Sequence, residues 1–352
     1  MIKNKIRDLK ETLKKFNIDG YIVPKNDEYF SEYAKNDRLK NISNFSGSAG
    51  IAVIFRKKNY LFVDGRYTIQ AEQESAKNFN IIEIHKRLPH TIIKNLNLGY
   101  DPRLFTSKNL KNYFFNNSLI PININLIDQI FKFKVKKTKP FYSLKKNIVG
   151  ESHHSKIIKI ANFLKSNKAD YLFISAPENV AWLLNIRGYD NPNSPIPNAR
   201  IIIDKNKKLF LITQKNNTIK IIKEKKINKD QVIDIKNLSK LINSLKGKNF
   251  IIDNKSCSIF YENIIKQKFK ILDKNDLIYK LKSIKNSQEI NHMIEAHKKD
   301  GLALTRFIYW IKNKNKKAIT EIEAQNKLEK FRKLNKDYLF PSFNTIAGTG
   351  SN

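Results

Sequence analysis

The first residues of the chain carry apolar side chains at alternating steps of four and three positions. Ile2, Ile6, Leu9, Leu13 and Phe16 follow this spacing, with Lys, Asp and Glu between them. Such a spacing places the apolar residues on one face of a helix. The pattern therefore predicts an amphipathic N-terminal helix.

From Gly20 onward, short runs of β-branched or aromatic residues alternate with helical stretches. The runs at residues 51–55 and 60–63 flank a polar turn and predict a hairpin, and residues 81–84 predict another strand. We therefore expect a first α/β domain over residues 1–140.

A lysine-rich segment with one proline, residues 132–140, interrupts this alternation. It is interpreted as a linker, although the alternation of Phe131, Phe133 and Val135 is also typical of an edge strand. Both interpretations place a boundary near residue 140.

The alternation of strands and helices begins again near Ser152 and continues to Leu272. This restart predicts a second α/β domain over residues 141–282. Its expected elements are a helix to about residue 167, a strand at 171–174, a helix around Trp182, and a strand pair at 201–203 and 209–213.

The last part of the chain, residues 283–352, contains two helix-start signatures and a strand-like stretch at 341–350. In each signature a capping residue is followed three positions later by Glu: Asn286 with Glu289, and Thr320 with Glu323. Two helices and one strand cannot close a core of their own. We expect the incomplete start of an α+β domain, with exposed apolar helix faces that cause aggregation or require a partner.

The formal charge of +35 would normally indicate an anionic partner. However, the 67 basic residues include only ten Arg and therefore 57 Lys, alongside abundant Asn and Ile. Recognition of phosphates and bases favours Arg. The charge is better explained by compositional drift, and we do not expect nucleic-acid binding.

The single cysteine, Cys257, excludes an intrachain disulfide and an all-cysteine metal site. The N-terminus lacks an uninterrupted apolar segment of the signal-peptide type, and apolar runs elsewhere are too short to span a membrane. We expect a cytoplasmic protein without a membrane partner.

A search for catalytic motifs finds no HExxH, GxSxG or GxxxxGK[ST] sequence. The segment 348–350 begins like a dinucleotide-binding loop but has no following helix. The six histidines form no convincing metal set, whether taken as the neighbours His153 and His154, as His292 and His297 five apart, as Glu289 with His292, or as His85 and His90.

Two glycine-containing segments remain as candidates in the first domain. FSGSAG at residues 45–50 is either a close backbone bend or a phosphate nest, with the bend favoured because no helix follows. In VDGRY at residues 63–67, Arg66 either pairs with Asp64 or presents a fork to a carboxylate or peptide carbonyl. In the second domain, Arg187 and Asp190 lie in a proline-rich loop that either is a rigid charge-paired loop or faces a site or another domain.

Several segments, in this order, resemble the three-domain Xaa-Pro aminopeptidase branch of the creatinase and methionine aminopeptidase superfamily. The matching segments are SEY at 31–33, FSGSAG at 45–50, LFVDGRYTIQA at 61–71, NLIDQIF at 125–131, residues 179–195, residues 284–311 and FPSFNTIAGTGSN at 340–352.

This resemblance implies two creatinase-like α/β domains followed by a pita-bread catalytic domain that removes an N-terminal residue preceding proline. It also implies two divalent metal ions, usually Mn²⁺, that activate a water molecule, and a homodimer. Of the family's contacts, only the Arg of the DGRY motif can be carried over, and it implies that Arg66 binds the peptide substrate.

The family's Asp, Asp, His, Glu and Glu metal ligands and its first catalytic His all lie beyond the segment similar to residues 340–352. We therefore expect no catalytic residue and no metal ligand within these 352 residues, and no peptidase activity from them alone. The alternative is a non-catalytic interaction module with the creatinase fold, which binds acidic peptides or nucleic acid.

Overall fold

The computed structural model describes residues 2–34, 36–133, 138–314 and 319–348. Its first part is built around a six-stranded mixed sheet with the order β4-β3-β2-β1-β5-β6. The β1–β2 and β2–β3 pairs are antiparallel, and the other three pairs are parallel. The strands are β1 Gly20–Pro24, β2 Gly50–Phe55, β3 Asn59–Val63, β4 Asn80–Glu83, β5 Asn97–Tyr100 and β6 Ser118–Pro121.

The next part contains a second six-stranded sheet, with the order β12-β11-β10-β8-β13-β14, and a small sheet of β7 with β9. The strands are β7 Tyr142–Ser143, β8 Tyr171–Ile174, β9 Ile186–Arg187, β10 Arg200–Asp204, β11 Leu209–Ile212, β12 Val232–Ile233, β13 Asn249–Ile252 and β14 Lys270–Asp273.

The two large sheets have the same topology. In the second sheet β8–β10 and β10–β11 are antiparallel, whereas β11–β12, β8–β13 and β13–β14 are parallel. Each strand thus has a counterpart at the same place and in the same direction in the first sheet. The first two parts of the chain are therefore two copies of one α/β arrangement.

Helices cover both faces of each sheet. The sheet therefore divides each core into two layers. In the first sheet, Leu9 and Leu13 of α1 pack on one face, and Leu110 and Phe114 of α5 pack on the other. The helices up to α7 are α1 Ile2–Lys15, α2 Arg38–Ser43, α3 Thr68–Ser75, α4 Pro89–Ile92, α5 Ser107–Phe114, α6 Leu126–Ile130 and α7 Lys146–Val149. The later ones are α8 His153–Ser166, α9 Pro177–Leu184, α10 Ile219–Lys223, α11 Leu238–Ser244, α12 Ile259–Lys266, α13 Leu277–Ser283, α14 Ser287–Asn313 and α15 Glu321–Arg332.

The amphipathic N-terminal helix, the first hairpin and the expected strands of the second sheet are confirmed. The linker interpretation concerns residues 132–140, of which 134–137, including Val135, lie outside the described residues. The described residues on either side of them belong to no helix or strand.

The end of the chain forms the two expected helices, α14 and α15, each opened by its predicted capping box. The expected strand at 341–350 is wrong for residues 341–348, which form no strand, and residues 349–350 lie outside the described part. An extended segment forms a strand only where a neighbouring strand receives its hydrogen bonds, and no such neighbour is present among the described residues. Of the described residues of α14, only Ala303 is buried.

None of the helices in the described ranges is long and apolar enough to cross a membrane.

Candidate functional site

The turn after β3 carries the one sequence-predicted substrate contact. Asp64 directly follows the strand and caps a single 3₁₀ turn over Gly65–Tyr67, which precedes α3; its side chain accepts the backbone N–H of Arg66 at 3.0 Å. The Nε of Arg66 donates to the same Asp64 oxygen at 2.7 Å. The local pairing of Asp64 with Arg66, one of the two interpretations of this motif, is thus present.

Arg66 remains exposed in spite of this pair, because 71% of its side-chain surface reaches solvent. Among the described residues, Nε is the only side-chain nitrogen of Arg66 that makes a hydrogen bond. Both terminal nitrogens are therefore available. A guanidinium held at one edge presents the other two nitrogens as a planar fork for a carboxylate or carbonyl. Pairing with Asp64 and binding a ligand are therefore compatible.

The carboxylates around this turn are paired with basic side chains, and Glu83 binds Lys86 at 2.7 Å. Hydrogen bonds from Arg66 lower the pKa of Asp64 to about 2. The Nε2 of His85, which follows β4, lies 3.5 Å from the second oxygen of Asp64. Glu83, at the end of β4, lies under Gly65, where an added Cβ would be 3.2 Å from a Glu83 oxygen.

The FSGSAG segment packs against α3 beside this turn. The backbone N–H and hydroxyl of Ser46 both donate to Glu74, at 2.7 and 2.6 Å, and the Ser48 hydroxyl is 2.7 Å from that of Tyr67. A Cβ on Gly47 would be 2.3 Å from the Phe45 ring. A phosphate would meet the Glu74 carboxylate at this place, so the geometry supports the bend and not the phosphate nest.

The remaining histidine candidates are not brought together into a site. The ring centres of His153 and His154 lie 3.9 Å apart. Burial, His154 and nearby lysines lower the pKa of His153 to about 4. His297 contacts the carbonyl of Met293 in its own helix at 2.8 Å, and Glu289 accepts the backbone N–H of Asn286 as part of the capping box.

A bound metal ion would need several His, Cys, Asp or Glu side chains close together. Within residues 2–34, 36–133, 138–314 and 319–348, no group of three or more His, Cys, Asp or Glu side chains is placed to hold one. No catalytic step through a metal is therefore assigned to these residues.

The proline-rich loop of the second domain is not held by an ion pair between Arg187 and Asp190. Arg187 donates to the carbonyls of Ala181 and Ile186 at 3.2 and 2.9 Å, at the end of α9. Asp190 accepts the backbone N–H of Asn198 at 2.7 Å. The loop also contacts the first domain. The hydroxyl of Ser31 donates a hydrogen bond to the side-chain oxygen of Asn191 at 2.6 Å.

Sequence reasoning missed His85 as a neighbour of Asp64. Asp64 and His85 are neighbours because β3 and β4 pair in parallel, with Val63 opposite Glu83. Residues that follow these two strand ends must lie close together. The sequence pattern does not show which strands pair across an intervening helix. It therefore does not predict that His85 lies near Asp64.

Two family models match the chain, and both are described as the Creatinase/Prolidase N-terminal domain. One matches residues 5–129 and the other residues 134–289. Together they cover both parts that contain the duplicated sheet. The duplication observed in the strand order thus corresponds to two domains of one family.

Curated relatives match the chain along almost its whole length. It is 30% identical to Xaa-Pro aminopeptidase 1 of Dictyostelium discoideum, covering 100% of this chain and 60% of the relative. It is also 30% identical to Xaa-Pro aminopeptidase ApepP of Drosophila melanogaster, covering 95% and 58%. The chain spans about three fifths of the length of these relatives.

A solved structure shows the same fold at lower identity. It is an X-prolyl aminopeptidase of Caenorhabditis elegans, described as a cytosolic enzyme with a di-nuclear active site. The TM-score is 0.85 at 23% identity, covering 99% of this chain and 62% of that one. The arrangement of the three parts of the chain is therefore one found in a known enzyme.

Proposed function

Because the chain belongs to the creatinase/prolidase family and aligns throughout with Xaa-Pro aminopeptidases, we propose that it is part of such an enzyme. It supplies two creatinase-like domains and the beginning of a pita-bread catalytic domain. The complete protein removes the N-terminal residue that precedes proline in a peptide. The observation that carries this proposal is the similarity to these enzymes across all three parts of the chain.

Arg66 is proposed as a contact for the peptide substrate. Asp64 holds its Nε, and the two terminal nitrogens are free to bind a peptide carbonyl or carboxylate. A planar fork of two nitrogens matches the oxygen atoms of a peptide carbonyl or carboxylate, which supports a peptide as the ligand. This role belongs to substrate binding and not to bond cleavage.

The hydrolytic step is assigned to residues that this chain does not supply. Two divalent ions, with Mn²⁺ proposed, would lower the pKa of a bound water and provide the nucleophile. The described residues offer no group that could hold these ions. Since the family's metal ligands lie beyond the segment similar to residues 340–352, we propose that residues 1–352 alone release no product.

Further features of the complete protein are proposed on the same basis. They are a cytoplasmic location and a homodimer, and domain boundaries that give domains of residues 1–140, 141–282 and 283–352. The match of the two family models to residues 5–129 and 134–289 supports a boundary near residue 130–140, where the pattern of strands is interrupted.

Reading the gene beyond the codon for Asn352 tests this proposal. We expect the frame to continue into a Gly-Ala dipeptide and a His, followed by Asp, Asp, His, Glu and Glu in that order. A verified stop codon after Asn352 would contradict the enzymatic proposal and would favour a non-catalytic module with the creatinase fold.

A further inference from the structure

The segment between β1 and α2 folds into a tight turn that contacts the second domain. Asp27 is 8% exposed, and its Oδ1 accepts the backbone N–H groups of Tyr29 and Ser31 at 2.9 and 3.0 Å. Phe30 lies between them with a φ of 56°, which is uncommon for a residue other than glycine. The buried carboxylate thus fixes the shape of residues 27–31.

Arg200, the first residue of β10, receives this turn. Its side chain is buried, and its guanidinium carbon lies 4.0 Å from the ring centre of Tyr29 and 4.3 Å from that of Tyr261. It also donates to the carbonyl of Glu28. A buried guanidinium is stabilised by aromatic faces and by hydrogen bonds. Here the Tyr29 ring and the Glu28 carbonyl come from the first domain, and the Tyr261 ring comes from α12 of the second domain.

The residue that accepts from Arg200 is also anchored within the first domain. The Glu28 side chain accepts from Arg38 at 2.6 Å. Arg38 is buried and binds both oxygens of Asp128 in α6, at 2.8 and 2.9 Å. The contact with Arg200 is therefore made to a rigid part of the first domain.

The same segment makes a second contact with the second domain. The hydroxyl of Ser31 donates to Asn191 in the proline-rich loop at 2.6 Å. Residues 27–31 therefore contact the second domain at two places, Arg200 and Asn191. Arg66 belongs to the same first domain, in the turn after β3.

We propose that Arg200 is a positioning residue for Arg66. By holding Tyr29 and Glu28 against β10 and α12, it fixes the orientation of the first domain relative to the second, and so the place at which Arg66 is presented. The link to substrate rests on the proposed function, whereas the fixed orientation does not.

A second contact between the domains sets the expected size of the effect. The backbone N–H groups of Ile259 and Phe260 donate to the carbonyls of Phe105 and Pro102, at 2.9 and 3.0 Å. These hydrogen bonds do not involve Arg200. Loss of Arg200 is therefore expected to widen the range of domain orientations and not to separate the domains.

Spin labels on the full chain measure this range. One label is placed at Ile69→Cys in α3, near Arg66, and the other at Ile235→Cys in the second domain, because both side chains are exposed. The native Cys257 is fully buried and would not be labelled. The measured quantity is the distribution of distances between the labels.

We expect Arg200→Met and Tyr29→Leu to broaden this distribution. Arg200→Lys keeps the charge but loses the planar group, so it should broaden the distribution less. Tyr29→Phe keeps the ring and should leave the distribution narrow. Arg332→Met is the matched control, because Arg332 pairs with Asp300 away from the domain contact.

The second measurement is peptide cleavage by the complete product of the gene. Arg200→Met should raise the KM for the tripeptide Ala-Pro-Ala about tenfold, with a smaller change in kcat, and Arg66→Ala is expected to have the same effect. A distribution that stays narrow in Arg200→Met and Tyr29→Leu overturns the proposal, as does an unchanged KM. If the unsubstituted complete product cleaves nothing, the proposed function fails, and the label distances still decide whether Arg200 fixes the domains.

Discussion

At the scale of single residues, the Arg66 turn shows how one side chain can form a local ion pair and still leave nitrogen atoms available for a ligand. The VDGRY motif allowed either a local ion pair or a free fork, and the structure contains the pair while leaving two nitrogens unused. Sequence alone could not decide this, because the outcome depends on which guanidinium nitrogen faces Asp64. Similarly, Arg200 gave no signal in the sequence, because its partner Tyr29 lies 171 positions away.

The carboxyl of Asp64 gives the first prediction. Arg66 lowers its pKa to about 2, so the ion pair contributes to stability above the ordinary pKa of about 3.9 and is lost as the pH falls towards 2. Replacing Arg66 by Ala should raise the pKa of Asp64 towards its ordinary value. An NMR titration of the side-chain carboxyl carbon measures this change, and an unchanged pKa of about 2 in Arg66→Ala would contradict the account.

At the scale of elements, helix starts were the features predicted best from sequence. The capping boxes at Asn286 and Thr320 are both formed, because a short polar side chain and a Glu three positions later satisfy local N–H groups without help from distant residues. The strand expected at 341–350 was wrong for 341–348, since a strand depends on a neighbour that no local pattern reveals. Hydrogen bonds between residues close in sequence can thus be predicted from the sequence, whereas the pairing of distant strands cannot.

The two capping boxes provide a matched comparison. The Nδ2 of Asn286 also donates to the carbonyl of Val149 at 2.9 Å, whereas within the described ranges the Thr320 side chain bonds only inside its own capping box. Replacing either residue by Ala should cost about 1 kcal/mol from the lost cap. Asn286→Ala should cost more, because a link to the second domain is lost as well.

Amide hydrogen exchange in the first turns of α14 and α15 measures this difference. We expect faster exchange at the start of the affected helix in each variant and a larger increase for Asn286→Ala. Equal increases in the two variants would show that the contact with Val149 adds nothing.

The cap of α13 gives a prediction with a defined pH dependence. Asp276 is buried, and desolvation raises its pKa to about 6, although Ile278 and Asn179 donate hydrogen bonds to it. Because the folded pKa lies above the unfolded one, the contribution of Asp276 to stability is fully present below about pH 4 and is lost as the pH rises through 6. The loss is at most about 3 kcal/mol.

Asp276→Asn removes the titrating group and tests this dependence. Between pH 4 and 6 the variant should gain stability relative to the unsubstituted chain, on top of a constant cost for one lost hydrogen bond. Urea unfolding at several pH values measures the difference, and a difference that is independent of pH would contradict the assigned cause.

At the scale of the whole molecule, the sequence indicated two successive α/β units but not that their sheets have identical strand order. The alternation of strands and helices is local, whereas the placement of β1 beside β5 and of β8 beside β13 depends on pairings across long connections. The sequence predicts an incomplete third part because two helices and one strand cannot close a core of their own, and apolar side chains of α14 are exposed in the described part of the chain. Exposed examples on α14 are Ile290, Ile294, Leu304, Ile308 and Tyr309.

This exposed face gives a prediction about residues 1–352 in isolation. We expect the purified chain to self-associate, because apolar patches on a helix of this length drive association. Ile294→Glu with Tyr309→Glu should reduce the association, whereas Asn291→Glu with Asn313→Glu adds the same charge on the same helix and should not. Light scattering measures the effect, and a monodisperse monomer of the unsubstituted chain would contradict it.

The most direct test of the account is a cleavage assay on Ala-Pro-Ala, with the complete product of the gene and residues 1–352 compared side by side. We predict that the complete product releases alanine in the presence of Mn²⁺, that a chelator stops this release, and that residues 1–352 release none. An inactive complete product with metal present, or alanine release by residues 1–352 alone, would contradict it.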